Sequence, residues 1–138
     1  MTRLHFLLFT LLLVTIPAFS QENPQKINKK NLIIKEWNTN AKGMAKALDH
    51  LTVFSPEGKK MEEIEYDSAG KQKWRKRFEY GADGKVSREL DYNEYNRLVQ
   101  TKKFEYNEFG RKKIQYNYDA KGKLTGTKFY EYITQDAD

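Results

Sequence analysis

The chain contains no cysteine, only two histidines and only three prolines. Without cysteine it has no disulfide framework, no thiolate metal ligand and no thiol nucleophile. His5 lies in an N-terminal apolar segment, and His50 has no group of potential metal ligands near it in the sequence. Because metal and catalytic sites need clustered side chains, we expect no cofactor, no metal and no enzymatic activity.

Glycine is also sparse, with eight residues that stand singly, so no glycine-rich phosphate-binding loop is present. The charge is moderately basic, with 25 Lys and Arg against 19 Asp and Glu. A basic patch for an acidic partner is one interpretation, and pairing of these charges across adjacent strands is the simpler one. We expect no nucleic-acid partner, because the N-terminus indicates export from the cell.

Residues 1–20 have the three parts of a secretory signal peptide. Arg3 supplies the positive start, an apolar run extends from Leu7 to Ile16, and a small-x-small cleavage pattern ends at Ser20. The apolar run is too short for a membrane-spanning helix, which needs about 20 residues. We predict cleavage near Ser20, a periplasmic or extracellular location and no transmembrane segment in the mature chain.

After the signal, residues 21–30 are predicted to be a flexible lead, and residues 31–138 a single domain. From residue 54 onward the sequence repeats itself, with aromatic residues separated by alternating steps of 12 and 14. These aromatic positions are Phe54, Tyr66, Tyr80, Tyr92, Tyr106, Tyr118 and Tyr132. A fixed period of this kind indicates a repeated supersecondary unit, with clear repeats over 54–132.

Each aromatic residue from 54 to 118 is followed by residues typical of a type I turn. The fourth turn position is always a residue that tolerates positive φ, which closes a bulged hairpin loop. These predicted turn residues are Gly58, Gly70, Gly84, Asn96, Gly110 and Gly122. Six hairpin turns separated by strand-length segments predict an all-β fold: an antiparallel meander of about eight strands in one strongly twisted or curled sheet.

A register without bulges places Glu65 opposite Lys73, Glu63 opposite Arg75, and Arg88 opposite Lys102, a like-charge pair. Since both steps are even, this register predicts one aromatic face and one charged face. The aromatic face must then be covered, because so many exposed aromatic side chains are costly in water. The sheet could curl onto itself, residues 31–53 could cover it, or a second copy could; we favour curling.

Residues 116–124 (YNYDAKGKL) resemble the tyrosine–aspartate (YD) repeat of the RHS family, and residues 66–71 match its core. The resemblance covers about residues 54–132. In RHS proteins such repeats build a long spiral β-sheet that encloses a toxin or displays a binding surface. This chain has too few units to enclose anything and looks more like the small exported YD-like repeat proteins of Bacteroidota. The resemblance implies a repeat module and carries no catalytic residue onto this chain.

The residues above favour a non-enzymatic exported module that binds an envelope protein or glycan. Its predicted binding surface combines aromatic and basic side chains: Trp74, Tyr80, Tyr92, Tyr106, Tyr118, Lys73, Arg75 and Arg77. The alternative is a structural subunit that assembles through a sheet edge, including as a homo-oligomer, or through its aromatic face. An enzyme is the least favoured alternative and would need a pocket of convergent polar groups, for example around His50.

Overall fold

The computed structural model describes residues 27–39, 41–43 and 46–134. The predicted signal peptide at residues 1–20, and residues 21–26 of the predicted lead, lie outside the described residues. The eight strands are β1 (Ile33–Asn38), β2 (Ala47–Phe54), β3 (Lys60–Tyr66), β4 (Gln72–Tyr80), β5 (Val86–Tyr92), β6 (Leu98–Tyr106), β7 (Lys112–Asp119) and β8 (Leu124–Phe129). The described residues contain no helix.

All eight strands form one sheet in which each strand pairs antiparallel with its neighbours in the chain. The predicted all-β meander is therefore confirmed. β1 and β8 are the two edges of the sheet and do not pair with each other, so the sheet is open. The described residues of 31–53 do not cover a face, because 33–38 and 47–53 lie in the sheet itself as strands β1 and β2.

The six predicted hairpin turns share one hydrogen-bond pattern. In the β3–β4 turn, the Asp67 amide donates to the Lys71 carbonyl at 2.8 Å, and the Gly70 amide donates to the Asp67 carbonyl at 2.9 Å. The Asp67 side chain also accepts bonds from the Ala69 and Lys71 amides, which fixes the turn. All six predicted turn residues have positive φ, from 58° at Asn96 to 81° at Gly122. The bulged-turn prediction is confirmed.

The bulges change the register, and here the prediction was wrong. Beyond each turn one strand carries an extra residue, so Glu65 lies opposite Trp74 and Glu63 lies opposite Lys76. An even-numbered residue therefore shares a face with an odd-numbered residue of the next strand. Because side chains alternate along a strand, this offset moves the aromatic residues to the other face at every strand. The predicted separation into one aromatic and one charged face does not occur.

Both faces carry aromatic and charged residues in alternation. We call one the arginine face, which carries Arg75, Arg77, Leu90, Tyr92 and Tyr118, and the other the tryptophan face, which carries Trp74, Lys76, Phe78, Glu89 and Phe104. Among the described residues Phe54 is the only buried apolar side chain, at 8% exposure. Most aromatic side chains are instead half-buried against their neighbours within the sheet. The predicted curling into a closed core is therefore not observed.

Candidate binding surfaces of the sheet

The bulges divide the predicted binding surface between the two faces. Arg75, Arg77, Tyr92 and Tyr118 lie on the arginine face, and Trp74, Tyr80 and Tyr106 lie on the tryptophan face. Lys73 is the extra residue of the β3–β4 bulge, and its ammonium group contacts the Glu65 carboxylate. The eight residues therefore do not converge on one surface.

A compact network of charges occupies the centre of the tryptophan face. Glu89 on β5 accepts from Lys76 at 3.0 Å and from Lys102 at 2.7 Å, so it joins β4 to β6. Asp91 lies 2.9 Å from the Lys102 ammonium and 3.9 Å from that of Lys76. Burial alone would raise the pKa of Glu89, but the two lysine partners hold it below its ordinary value. The charges of this network compensate one another.

On the same face, the hydroxyl groups and rings of Tyr80 and Tyr106 already have partners within the chain. The Tyr80 hydroxyl donates to the Lys60 carbonyl at 2.7 Å, and the Lys59 ammonium lies 5.0 Å from the centre of its ring. Tyr106 repeats this arrangement 26 residues later, with a bond to the carbonyl of Val86 and a cation from Lys85. A ring face already covered by a cation is less available for stacking on a ligand.

Trp74 and His50 lie close together on the tryptophan face, with ring centres 5.9 Å apart in an edge-to-face arrangement. His50 does not belong to a potential metal site. In the described part of the chain, no group of three or more His, Cys, Asp or Glu side chains is placed to hold a metal ion. No helix in the described ranges is long and apolar enough to cross a membrane.

A cavity of about 530 Å³ lies beside the β3–β4 turn. The charged residues that line it are Asp49, Asp67 and Lys73. Asp67 already holds its turn, and Lys73 contacts Glu65. His50 does not line this cavity, so the histidine and the carboxylates do not converge as an acid–base site would require.

Among the described residues of the arginine face, the positive charge of Arg75 is compensated by a carboxylate, and that of Arg77 is not. Arg75 contacts the Glu62 carboxylate, donates to the Asn96 side chain at 2.8 Å, and lies over the Tyr92 ring. Arg77, two residues further along β4, is exposed and makes no ion pair with any described residue. On β6 of the same face, Lys103 also makes no ion pair with any described residue, whereas Arg88 on β5 pairs with Glu79 at 3.1 Å.

Arg88 on β5 lies directly opposite Lys103 on β6. An open cavity of about 360 Å³ adjoins this pair, and its lining includes Thr101, Tyr118 and the β7–β8 turn. The predicted binding surface omitted both basic residues. The sequence did contain a signal, because the unbulged register already placed Arg88 opposite a lysine; the bulge exchanges Lys102 for Lys103.

No protein-family model and no curated protein sequence matches the chain. One solved structure with a detectable likeness is a variant of S. aureus TarM in complex with fondaparinux, alpha-GlcNAc-glycerol and UDP. The likeness has 16% sequence identity and a TM-score of 0.29, and it covers 73% of this chain. The matched region spans 20% of the length of that chain. At this TM-score the likeness establishes neither a shared fold nor a shared activity.

Proposed function

We propose that this chain is a non-enzymatic exported repeat module that binds a glycan of the cell envelope. The observation that carries the proposal is the open cavity on the arginine face, which is lined by basic side chains, by Thr101 and by Tyr118. The Lys103 ammonium already lies 5.1 Å from the centre of the Tyr118 ring, so charged and hydroxyl groups, and not stacking on this ring, would bind the saccharide. The repeat pattern, with its resemblance to YD repeats, supports a module that displays a surface.

The single-layer architecture supports the same function. Neither face of the described sheet is covered by another layer, so a long polymer can lie across several strands. The 26-residue period places equivalent residues at regular intervals across the sheet, as with Tyr92 and Tyr118 on the arginine face. A repetitive surface suits a repetitive ligand, because each repeat contributes a similar contact and weak contacts add up.

A panel of neutral and acidic envelope polysaccharides, immobilised and probed with the full chain, tests this function. We expect retention on at least one glycan, and competition by the same glycan in solution. The control is a heat-unfolded sample of the same chain, which retains the charge but loses the sheet. Retention that is equal for folded and unfolded chains, or retention on no glycan, would contradict the proposal.

A second candidate function is assembly through the sheet edges. No described residue pairs with the outer edge of β1 or of β8, and Ile33 and Phe129 on these strands are 55% and 75% exposed. Unpaired edges with apolar side chains favour pairing with another strand. Sedimentation velocity over a hundred-fold range of concentration distinguishes this candidate, which requires oligomers that grow with concentration.

A further inference from the structure

We propose that Arg88 and Lys103 form an oxyanion site for a carboxylate or sulfate group of an acidic glycan. This inference rests on the proposed glycan-binding function and names the chemical class of its ligand. It starts from a local conflict in the sheet: two cations are direct cross-strand partners on β5 and β6. Like charges directly opposite one another destabilise a sheet, and such violations are expected at functional sites.

The chain itself compensates only one of these two cations. Arg88 has one acidic partner, Glu79, whose carboxylate lies 3.1 Å from Nη1. The Nε of Arg88 is buried and has no hydrogen-bond partner within the described residues. Lys103 forms no ion pair with any described carboxylate, and its ammonium lies 5.1 Å from the centre of the Tyr118 ring. Arg88 therefore has Glu79 as its one charged partner among the described residues, and Lys103 keeps an uncompensated charge.

On the tryptophan face, the same sheet compensates two lysines with one carboxylate. Lys76 and Lys102 flank β5 there, and Glu89 lies between them with both ammonium groups within 3.0 Å. Arg88 and Lys103 lie on adjacent strands, and no described carboxylate contacts both of them. An oxyanion from a ligand would supply the missing negative charge and accept charge-assisted hydrogen bonds from both side chains.

The neighbouring cavity gives such a ligand access. Its charged lining residues are Arg88, Lys103, Lys121 and Asp119, which leaves two positive charges in excess. Asp119 does not cancel the site in full, because its Oδ1 already accepts the amides of Lys121 and Lys123 at 2.9 Å. Thr101 is only 7% exposed and also lines the cavity. The site thus combines a basic wall, a hydroxyl-bearing residue and an open mouth.

Calorimetric titration of the full chain tests the proposal with three probes. These probes are a tetragalacturonate, a neutral galactose tetrasaccharide of the same length, and sodium sulfate at constant ionic strength. We expect the uronate to bind, and the Arg88→Gln and Lys103→Gln variants each to weaken it about tenfold or more. The matched control, Lys71→Gln with Lys113→Gln, removes two exposed lysines outside the site and should change affinity less than about threefold by screened electrostatics.

The reversal variant Lys103→Glu separates a binding role from a structural one. It places a carboxylate opposite Arg88, so it should raise the melting temperature while abolishing uronate binding. Equal uronate affinity in Lys103→Glu and the parent would overturn the site. Equal affinity for the neutral and acidic tetrasaccharides would overturn the anionic specificity but leave the glycan-binding function standing. Binding of sulfate alone would place the anion site outside glycan recognition, and binding of no probe would overturn the site.

Discussion

The hydroxyl of Tyr80 donates a hydrogen bond to the main-chain carbonyl of Lys60, 20 residues earlier, at 2.7 Å. Tyr106 and Tyr132 repeat it with the carbonyls of Val86 and Lys112, each at 2.8 Å. Each of these tyrosines lies one 26-residue unit after the last. The described residues place no second layer on this sheet, and such bonds link neighbouring strands, or the segment after β8 and β7, in addition to the main-chain hydrogen bonds.

Removing the Tyr80 hydroxyl should weaken the sheet. We expect Tyr80→Phe to lower the free energy of unfolding by about 0.5–1.5 kcal/mol, the usual range for one lost hydrogen bond. Urea unfolding followed by circular dichroism measures the change. Tyr95→Phe is the matched control, because Tyr95 is 71% exposed and no described residue accepts a bond from its hydroxyl. Equal losses in both variants would show that the Tyr80 bond does not stabilise the fold.

Tyr80 and Tyr106 make stability sensitive to high pH. Burial raises the pKa of Tyr80 and of Tyr106 above the ordinary value. The folded chain therefore holds protons that the unfolded chain releases near pH 10, so stability falls as pH rises through the raised pKa values. We expect Tyr80→Phe with Tyr106→Phe to lose less stability than the parent between pH 8.5 and about 11. Identical pH profiles would contradict this assignment.

Among the carboxylates of the tryptophan face, Glu89 should contribute most to the free energy of unfolding. It holds the ammonium groups of Lys76 and Lys102, so Glu89→Gln leaves two half-buried lysines that share only Asp91. We expect a loss of about 1–3 kcal/mol at pH 7, measured by urea unfolding. Glu94→Gln, in the exposed β5–β6 turn, is the control and should be neutral.

The Glu89 effect has a defined pH dependence. Because the folded-state pKa of Glu89 is lowered, its contribution is present above the unfolded pKa near 4.3 and is lost as pH falls through the folded value. The difference between parent and Glu89→Gln should therefore shrink below about pH 4. A difference that stays constant down to pH 2 would show that packing, and not charge, accounts for it.

The bulged turns depend on backbone conformation and not on space. Gly70 has a φ of 75°, and a Cβ built there meets no atom within 4 Å. We expect Gly70→Val to cost about 1–3 kcal/mol, since a β-branched residue resists positive φ. Gly126→Val in β8 is the control, because its φ is not positive and valine favours a strand. A neutral Gly70→Val would contradict the strain argument.

Local chemistry made the strands and turns predictable. The spacing of Tyr66, Tyr80 and the later aromatic residues gives the strand lengths, and residues such as Gly70 and Asn96 identify the turns. The same residues implied bulges, but the predicted register did not carry the extra residue into the next strand. One residue per hairpin was enough to exchange the faces, because side-chain direction has a period of two.

The candidate site could be predicted only in part for the same reason. The sequence identified Arg75, Arg77 and Tyr118 as members of a basic and aromatic surface, and the structure places all three on the arginine face. It combined them with Trp74 and Tyr80, which lie on the other face. It omitted Arg88 and Lys103, although the register without bulges already placed Arg88 opposite a lysine; the bulge decides that this lysine is Lys103.

The sequence by itself determined the elements of this protein: strands, positive-φ turns and the antiparallel order that short hairpins impose. Those features depend on interactions within a few residues. Only the tertiary structure decided which side chains meet, because pairing depends on the register of strands that are far apart in sequence. It also decided that the sheet stays open, with Phe54 as the only buried apolar side chain described and with Arg88 facing Lys103.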